Sequence, residues 1–260
     1  VGTDGWRGVI ADDFTFANVQ VCAQGVAQYI IDRGLSSRGI VVGYDTRFLS
    51  EQFAETAANV LAFNGIKVYL SNKAIPTPVA SYNVIELKAA GAIIITASHN
   101  PPSWNGFKFK PEYGGSASPD IVLALEANIE KILKYGLSQL PEIHHGVTND
   151  LIDLMDLATP YRRHLRSIVD LQSIKGAGIR IAVDSMYGSG AGYLKRLISG
   201  GSSTIREIHK IRNPLFPAIS QPEPIANNLA GLSDLMAKTH SHVGLATDGD
   251  ADRVGAADEY

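Results

Sequence analysis

A single cysteine in 260 residues takes disulfides out of consideration at once. Cys22 has no partner within the chain, and it sits in an apolar stretch of helical period. It reads as packing, and a reducing cytoplasm as the compartment. Charge of one sign is also scarce. The 23 basic and 26 acidic residues leave a net charge of -3, which gives no electrostatic reason to expect a nucleic acid or a membrane surface as partner. No apolar run reaches the length of about 18 residues that a spanning helix needs. No charged-then-apolar leader precedes Gly2, and the chain does not open on methionine. At the other end, "VGAADEY" follows directly on a charged motif without a closing helix. Both ends lead us to expect a fragment of a longer polypeptide.

What is present is ordinary globular material, 45% hydrophobic and 19% charged with 25 glycines. At about 150 residues per domain, the length implies roughly two domains. Amphipathic segments alternate with short β-branched runs. Phe16 to Arg33 has helical period, and Gly34 stops it. "GIVVGYD", "IKVYL" and "GAIIIT" read as buried strands separated by helices from Ser50 to Asn64 and over "TPVASYNVIEL". "SPDIVLALEANIEKIL" opens on a Ser-Pro start signal. The pattern loosens from Pro141 to Thr159, which we take as the linker between a domain over residues 1–150 and one over 151–260. The second half repeats the alternation, with a "TPYRRHLRSIVDL" helix, the strand, turn and helix of "GIRIAVDSMYGSGAGYLKRLI", the strand "TIREIHKI", a helix from Asn227 to His240, and "HVGLATDGDADR". Strands alternating with helices predict an α/β fold, with mainly parallel sheets covered on both faces.

Three motifs bear on chemistry. In "DGDADR", Asp248, Asp250 and Asp252 alternate directly after a strand, and in extended geometry such side chains point the same way. Three carboxylates on one side repel unless a cation sits among them, and oxygen-only ligands favour a hard ion, Mg²⁺ or Ca²⁺. Asp248, Asp250, Asp252 and Glu259 also fit positions of a calcium-binding EF-hand loop. The residue that loop needs as glycine is Arg253, however, and the preceding segment is strand-like, so that reading is set aside. In "YGSGAGYL", Gly188, Gly190 and Gly192 are misspaced for a dinucleotide fingerprint and read as a tight turn.

The third motif is "ITASHNPPSWNGFKFK", Ile95 to Lys110. Ser98 begins where a strand ends, which is where ligands gather in open α/β sheets. A serine hydroxyl is a poor nucleophile without a base or a metal. Adjacent side chains diverge, so a simple Ser98–His99 dyad is disfavoured, and no nucleophile elbow is present. Asn105-Gly106 reads as a turn leading to Lys108. Three carboxylates and a cation call for one more hard oxygen ligand, and a phosphate on Ser98 would supply it. Its charge of about -1.5 to -2 would be neutralised by the metal, Lys108, Arg7 and Arg253. These residue types point to phosphoryl transfer, where catalysis is mostly positioning and charge neutralisation.

"TASHNPPSWNGFK", "DGDADR" and the opening "GTDGWRG" together resemble the α-D-phosphohexomutases, most closely the phosphoglucomutase/phosphomannomutase branch. The resemblance spans Gly2 to Asp258, with the serine and aspartate loops about 150 residues apart. It implies two consecutive three-layer αβα domains with mixed, mainly parallel sheets, and a phosphorylated Ser98. That serine would give its phosphoryl group to a hexose monophosphate and take one back through a hexose 1,6-bisphosphate, which also serves as activator. It implies Mg²⁺ held by Ser98, Asp248, Asp250 and Asp252, and Lys108 as general acid–base. Arg7 and Arg253 would lie near the phosphoserine, His99 and Asn100 would orient the reacting hydroxyl, and Arg47 of "GYDTR" would bind phosphate or substrate, with a surface salt bridge as its other reading. Trp104 reads as packing.

Members of that family have four domains, and no "GEESG"-like or "RxSGTEP"-like segment of the third and fourth occurs here. The resemblance therefore implies an N-terminal half, inactive alone, whose partners are a phosphosugar and the C-terminal domains of the same polypeptide. Two other readings stand beside it. A haloacid-dehalogenase-like phosphatase would carry its phosphate on Asp248, and a non-catalytic calcium module would be indifferent to Ser98.

Overall fold

The computed structural model describes residues 5–142, 146 and 149–258. Residues 1–4 of the opening motif, part of the expected linker and Glu259 lie outside the described residues. Two compact units emerge. The first comprises the chain to Asp45, Leu49–Ala97 and Ser103–Leu157, and the second comprises Thr46–Phe48, Ser98–Pro102 and the chain from Ala158 onward.

The first unit is built on a six-stranded sheet of order β1-β5-β4-β2-β3-β6. Its strands are β1 (Trp6–Val9), β2 (Ile40–Tyr44), β3 (Val68–Ser71), β4 (Gly91–Ile95), β5 (Trp104–Pro111) and β6 (Ile152–Met155). β4, β2, β3 and β6 run parallel, while at one edge β5 pairs antiparallel with both β4 and β1. β2 and β4 are buried at every position, as expected of parallel strands covered on both faces. The helices are α1 (Phe16–Asp32), α2 (Ser50–Phe63), α3 (Thr77–Glu86) and α4 (Pro119–Tyr135). Thr15 caps α1 by accepting the Asn18 amide. α1 packs on both α2 and α4, and their apolar faces join Ile40, Val42, Ile93, Ile95, Phe107 and Phe109 in one core. α3 covers β2 and β4 from the other side, where Gly43 leaves room for Ile75.

Four features differ from expectation. Asn105 and Gly106 form no turn but lie inside β5, where the Asn105 side chain accepts the Gly106 amide. A Cβ at Gly106 would collide with the Thr96 carbonyl, so this glycine serves strand approach. The first unit runs through Leu157 rather than stopping at residue 150, because β6 inside the expected linker completes the first sheet. The Thr-Pro start of "TPVASYNVIEL" predicts Thr77 as the cap of α3, but Pro76 takes that place and Thr77 is already helical. The helix expected over "TPYRRHLRSIVDL" ends at Ile168, and Asp170 caps a new one by accepting the Ser173 amide.

The second unit has a four-stranded sheet of order β10-β9-β7-β8. Its strands are β7 (Arg180–Asp184), β8 (Thr204–Ile208), β9 (Val243–Thr247) and β10 (Val254–Asp258), and only the β9–β10 pair is antiparallel. Its helices are α5 (Ala158–Ile168), α6 (Leu171–Gly176), α7 (Tyr193–Ile198) and α8 (Ala230–Thr239). Alternation along β7 splits the core. Ile181 and Val183 meet α6 and α7 through Leu171, Leu197 and Ile198, while Ala182 meets Leu232 and Met236 of α8. Each unit is thus a three-layer αβα sandwich. Among the described residues, no helix is long and apolar enough to cross a membrane.

Candidate active site

The loops after β7 and β9 leave the same end of two adjacent parallel strands, the position at which open α/β sheets place their ligands. The loop after β9 carries the aspartates and turns back into β10. Its shape comes from its first residue. Asp248 Oδ1 accepts the amides of Asp252 and Arg253, each at 3.1 Å, and the Asp248 carbonyl accepts the Ala251 amide at 3.1 Å. Ala251 takes a left-handed conformation at φ 52° to close the turn. The carboxylates are gathered by this turn, and not by the pleat of an extended strand that their alternation suggests. One oxygen from each of Asp248, Asp250 and Asp252 lies within 4.8 Å of the others, a group able to hold a metal ion. A strand on each side of the loop, instead of a helix, rules out the EF-hand arrangement.

Ser98 belongs to the same unit. Its hydroxyl donates to Asp248 Oδ2 at 2.8 Å, while His99 Nδ1 stands at 3.4 Å. The single hydroxyl proton is therefore directed at the carboxylate, and His99 Nδ1 stands at a longer hydrogen-bond distance from the same oxygen, its role set by its tautomer. Ser98 is fully buried and left-handed at φ 53°, a conformation costly for a residue with a Cβ and concentrated at functional sites. Asn100 contributes its carbonyl to Arg47. Arg47 itself is fully buried, with its guanidinium on the backbone carbonyls of Ser98, Asn100 and Pro101.

Electrostatics mark this cluster. Burial, and then the charges of Asp250 and Asp252, push the Asp248 carboxyl up to about 7; the Ser98 hydroxyl and the Arg253 amide offset part of that. Two fully buried carboxylates beside a third are a site of net repulsion, which a cation relieves. An all-oxygen donor set matches a hard divalent ion such as Mg²⁺. Arg253 lies at the end of the loop, 43% exposed, with Nη1 3.4 Å from Glu223 Oε1 and Nε 3.9 Å from Asp252.

Arg7 and Lys108 are placed in the first unit. Arg7 on β1 pairs with Gly106 of β5, and Lys108 lies two residues further along β5. The side chains of both therefore stand on one face of the first sheet, and the bare Gly106 lets the Arg7 stem approach. Near the ends of β2 and β4, the buried Asp45 accepts Ser50 Oγ at 2.8 Å and Thr96 Oγ1 at 2.6 Å. Asn105 extends the network by donating to Ser50 at 3.0 Å.

Several residues of the second-unit cluster escape a reading of the sequence. The glycines of "YGSGAGYL" do form a tight turn, but that turn props the aspartate loop. The Ser189 amide donates to the Gly249 carbonyl at 2.9 Å, and a Cβ on Gly188 would stand 2.7 Å from the same oxygen. From the Pro-rich loop, the Pro222 carbonyl accepts the Gly249 amide at 3.2 Å. At the end of β7, Asp184 accepts the Met186 amide and contacts His209 Nδ1, each at 2.8 Å, and burial raises its pKa. None of these has a spacing motif. The only signal is the density of glycine and proline in both loops.

Comparison with known proteins agrees with this geometry. Residues 1–136 match the phosphoglucomutase/phosphomannomutase alpha/beta/alpha domain I, and residues 159–260 match domain II of the same family. A phosphoglucomutase of Staphylococcus saprophyticus is 31% identical over 249 residues, covering 93% of this chain and 44% of the relative. A phosphoglucomutase/phosphomannomutase of Thermococcus kodakarensis is 28% identical over 260 residues, covering 99% and 55%. Among solved structures, a Thermus thermophilus protein described as a phosphomannomutase superposes with a TM-score of 0.84 at 38% identity, covering 98% of this chain and 56% of that one. The chain thus spans about half the length of the curated relatives it matches. With both sheets, the serine loop and the aspartate loop in place, the chain belongs to the phosphoglucomutase/phosphomannomutase family.

Proposed function

We propose that this chain provides the phosphoryl carrier and the metal-binding loop of an enzyme that interconverts hexose 1-phosphate and hexose 6-phosphate, with glucose or mannose as the sugar. The observation that carries the proposal is the 2.8 Å bond from Ser98 Oγ to Asp248, which ties a nucleophile-grade hydroxyl to a carboxylate cluster. A phosphoryl group on Ser98 would pass to a hydroxyl of the bound sugar phosphate. The Ser98 O–P bond breaks, the sugar O–P bond forms, and the hydroxyl proton leaves to a base. The resulting hexose 1,6-bisphosphate returns its other phosphoryl group to Ser98, which regenerates the carrier and yields the isomer. Free bisphosphate recharges a dephosphorylated Ser98, which accounts for its role as activator.

Mg²⁺, held by Asp248, Asp250, Asp252 and an oxygen on Ser98, would neutralise charge on the transferring group. Arg253, at the rim of the loop, is suited to hold a phosphate oxygen, and for Arg7 the family resemblance implies a share of that charge. Lys108 is assigned as the acid–base that takes and returns the sugar proton. His99 and Asn100 would orient the hydroxyl.

The family relationship does not favour the two alternatives. A phosphatase with Asp248 as nucleophile is further opposed by its bonding, since Oδ1 already accepts two amides and Oδ2 the Ser98 hydroxyl. The curated relatives extend well past the region matched, so turnover is assigned to a polypeptide of their length and phosphoryl uptake to this chain. A coupled assay of glucose 1-phosphate and mannose 1-phosphate conversion by a polypeptide of the relatives' length, run with a Ser98→Ala control, tests the reading. We expect conversion that depends on Mg²⁺ and bisphosphate and disappears in the control. Conversion by Ser98→Ala at the parent rate would overturn it.

A further inference from the structure

We propose that Arg47, Arg212 and Phe216 form a clamp that holds the strained Ser98 backbone, which makes them positioning residues for phosphoryl transfer rather than ligands of phosphate. The inference rests on the reading of Ser98 as phosphoryl carrier. Strain is the starting observation. Ser98 sits at φ 53°, and such conformations persist only where surrounding contacts over-determine them.

Arg47 supplies those contacts. From full burial it donates to the carbonyls of Ser98 at 2.7 Å, Asn100 at 2.6 Å and Pro101 at 2.9 Å. A guanidinium is a rigid planar fork of donors, so three carbonyls of one turn converge on it only while the turn keeps its curvature. Gly249 of the aspartate loop also faces the Ser98 carbonyl, and a Cβ there would collide with that oxygen. The Ser98 peptide is thus held by both Arg47 and the metal-binding loop, and this directs Oγ at Asp248.

Two residues of the Pro-rich loop fix the arginine in turn. Phe216 lies 5.2 Å from the guanidinium in cation–π geometry. It is itself buried and left-handed, at φ 46°. Arg212 donates from Nε to the Thr46 carbonyl and from Nη2 to the Arg47 carbonyl, both at 3.0 Å. Arg212 is exposed and touches no carboxylate of the metal cluster through these bonds. Its contribution runs through the backbone beneath Arg47.

The test compares Arg212→Gln and Arg47→Lys with the parent in the native polypeptide. Phosphoryl uptake at Ser98 from hexose 1,6-bisphosphate with Mg²⁺ is followed by mass spectrometry, and amide exchange is followed over residues 97–100. Arg212→Gln replaces an exposed side chain, so loss of folding does not confuse its result. The clamp predicts that Arg212→Gln slows uptake by about tenfold, with the KM for bisphosphate little changed and exchange in the turn accelerated. Arg47→Lys keeps the charge yet cannot span three carbonyls, so it loses at least as much. A raised KM at unchanged maximal rate, or full rescue by lysine, would identify Arg47 as a phosphate ligand and overturn the clamp. Should the parent take up no phosphate at Ser98, the carrier reading fails by itself, and the exchange data still decide the clamp: faster exchange in the variants supports it and unchanged exchange overturns it.

Discussion

The Ser98 hydroxyl lies 2.8 Å from Asp248 Oδ2 although 150 residues separate the two in sequence. The same Asp248 closes its own loop through Oδ1. One side chain therefore shapes the aspartate loop and meets the Ser98 hydroxyl, and it does both from a fully buried position.

That double duty has a stability cost in the absence of metal. Holding Asp248 ionised against its burial and two like charges, with its pKa raised from 3.8 to about 7, amounts to as much as about 4 kcal/mol at alkaline pH. Asn at 248 retains an acceptor for the two amides and removes the charge. Asp248→Asn is expected to raise the melting temperature of the metal-free chain at pH 8 and to abolish stabilisation by Mg²⁺. Calorimetry with and without chelator checks both; a lower melting temperature in chelator would contradict the account.

The pH dependence follows with a definite sign. An acid whose folded pKa lies above its unfolded value binds its proton more tightly when folded. The stability it contributes is present at low pH and is lost as pH rises through the interval between the two values. Asp248 sets that interval from about 4 to about 7, and Asp184, raised by burial, acts in the same direction. In chelator, denaturant midpoints should fall from pH 5 to pH 8, and Mg²⁺ should restore them at pH 8. Midpoints that rise over that range in chelator would be inconsistent with the buried cluster.

Gly249 is where three segments meet. Its amide donates to Pro222, its carbonyl accepts from Ser189, and its Cα faces the Ser98 carbonyl. Added bulk must push the serine and aspartate loops apart. Gly249→Ala should cost roughly 1–3 kcal/mol and weaken Mg²⁺ binding, whereas the same substitution at Gly176, which has open space around it and no left-handed backbone, should do neither. Titration calorimetry on the two variants makes the comparison.

Cys22 gives a prediction for the first unit. Burial pushes its thiol up to about 12, so almost none is thiolate at pH 8. Alkylation of the folded chain should be slow and should become fast in denaturant. Rapid alkylation under native conditions would show that α1 does not pack as described.

Much of this is legible in the sequence because it rests on local signals. The continuous apolar runs of β2 and β4 announce parallel strands buried on both faces, and "DGDADR" announces a cation site by charge density alone. Non-local structure is not legible. β5 looks like a turn because Asn105-Gly106 is a hairpin signal, and what overrides it is pairing with strands on both sides. β6 is four residues in a loosened region, identifiable only by its partner β3. Arg47 is assigned to phosphate because its charge is visible, whereas the carbonyls it holds belong to a turn about fifty residues away. Arg212 and Phe216 carry no motif, since what they meet is two backbone carbonyls and a guanidinium of a distant segment.

The central claim is that Ser98 and the three aspartates share one divalent ion. Anomalous diffraction from crystals soaked in Mn²⁺ tests it most directly. The account predicts a single strong peak coordinated by Asp248, Asp250 and Asp252 with an oxygen on Ser98 as a further ligand. A saturated peak elsewhere, or one at the aspartates from which Ser98 is turned away even when phosphorylated, would contradict it.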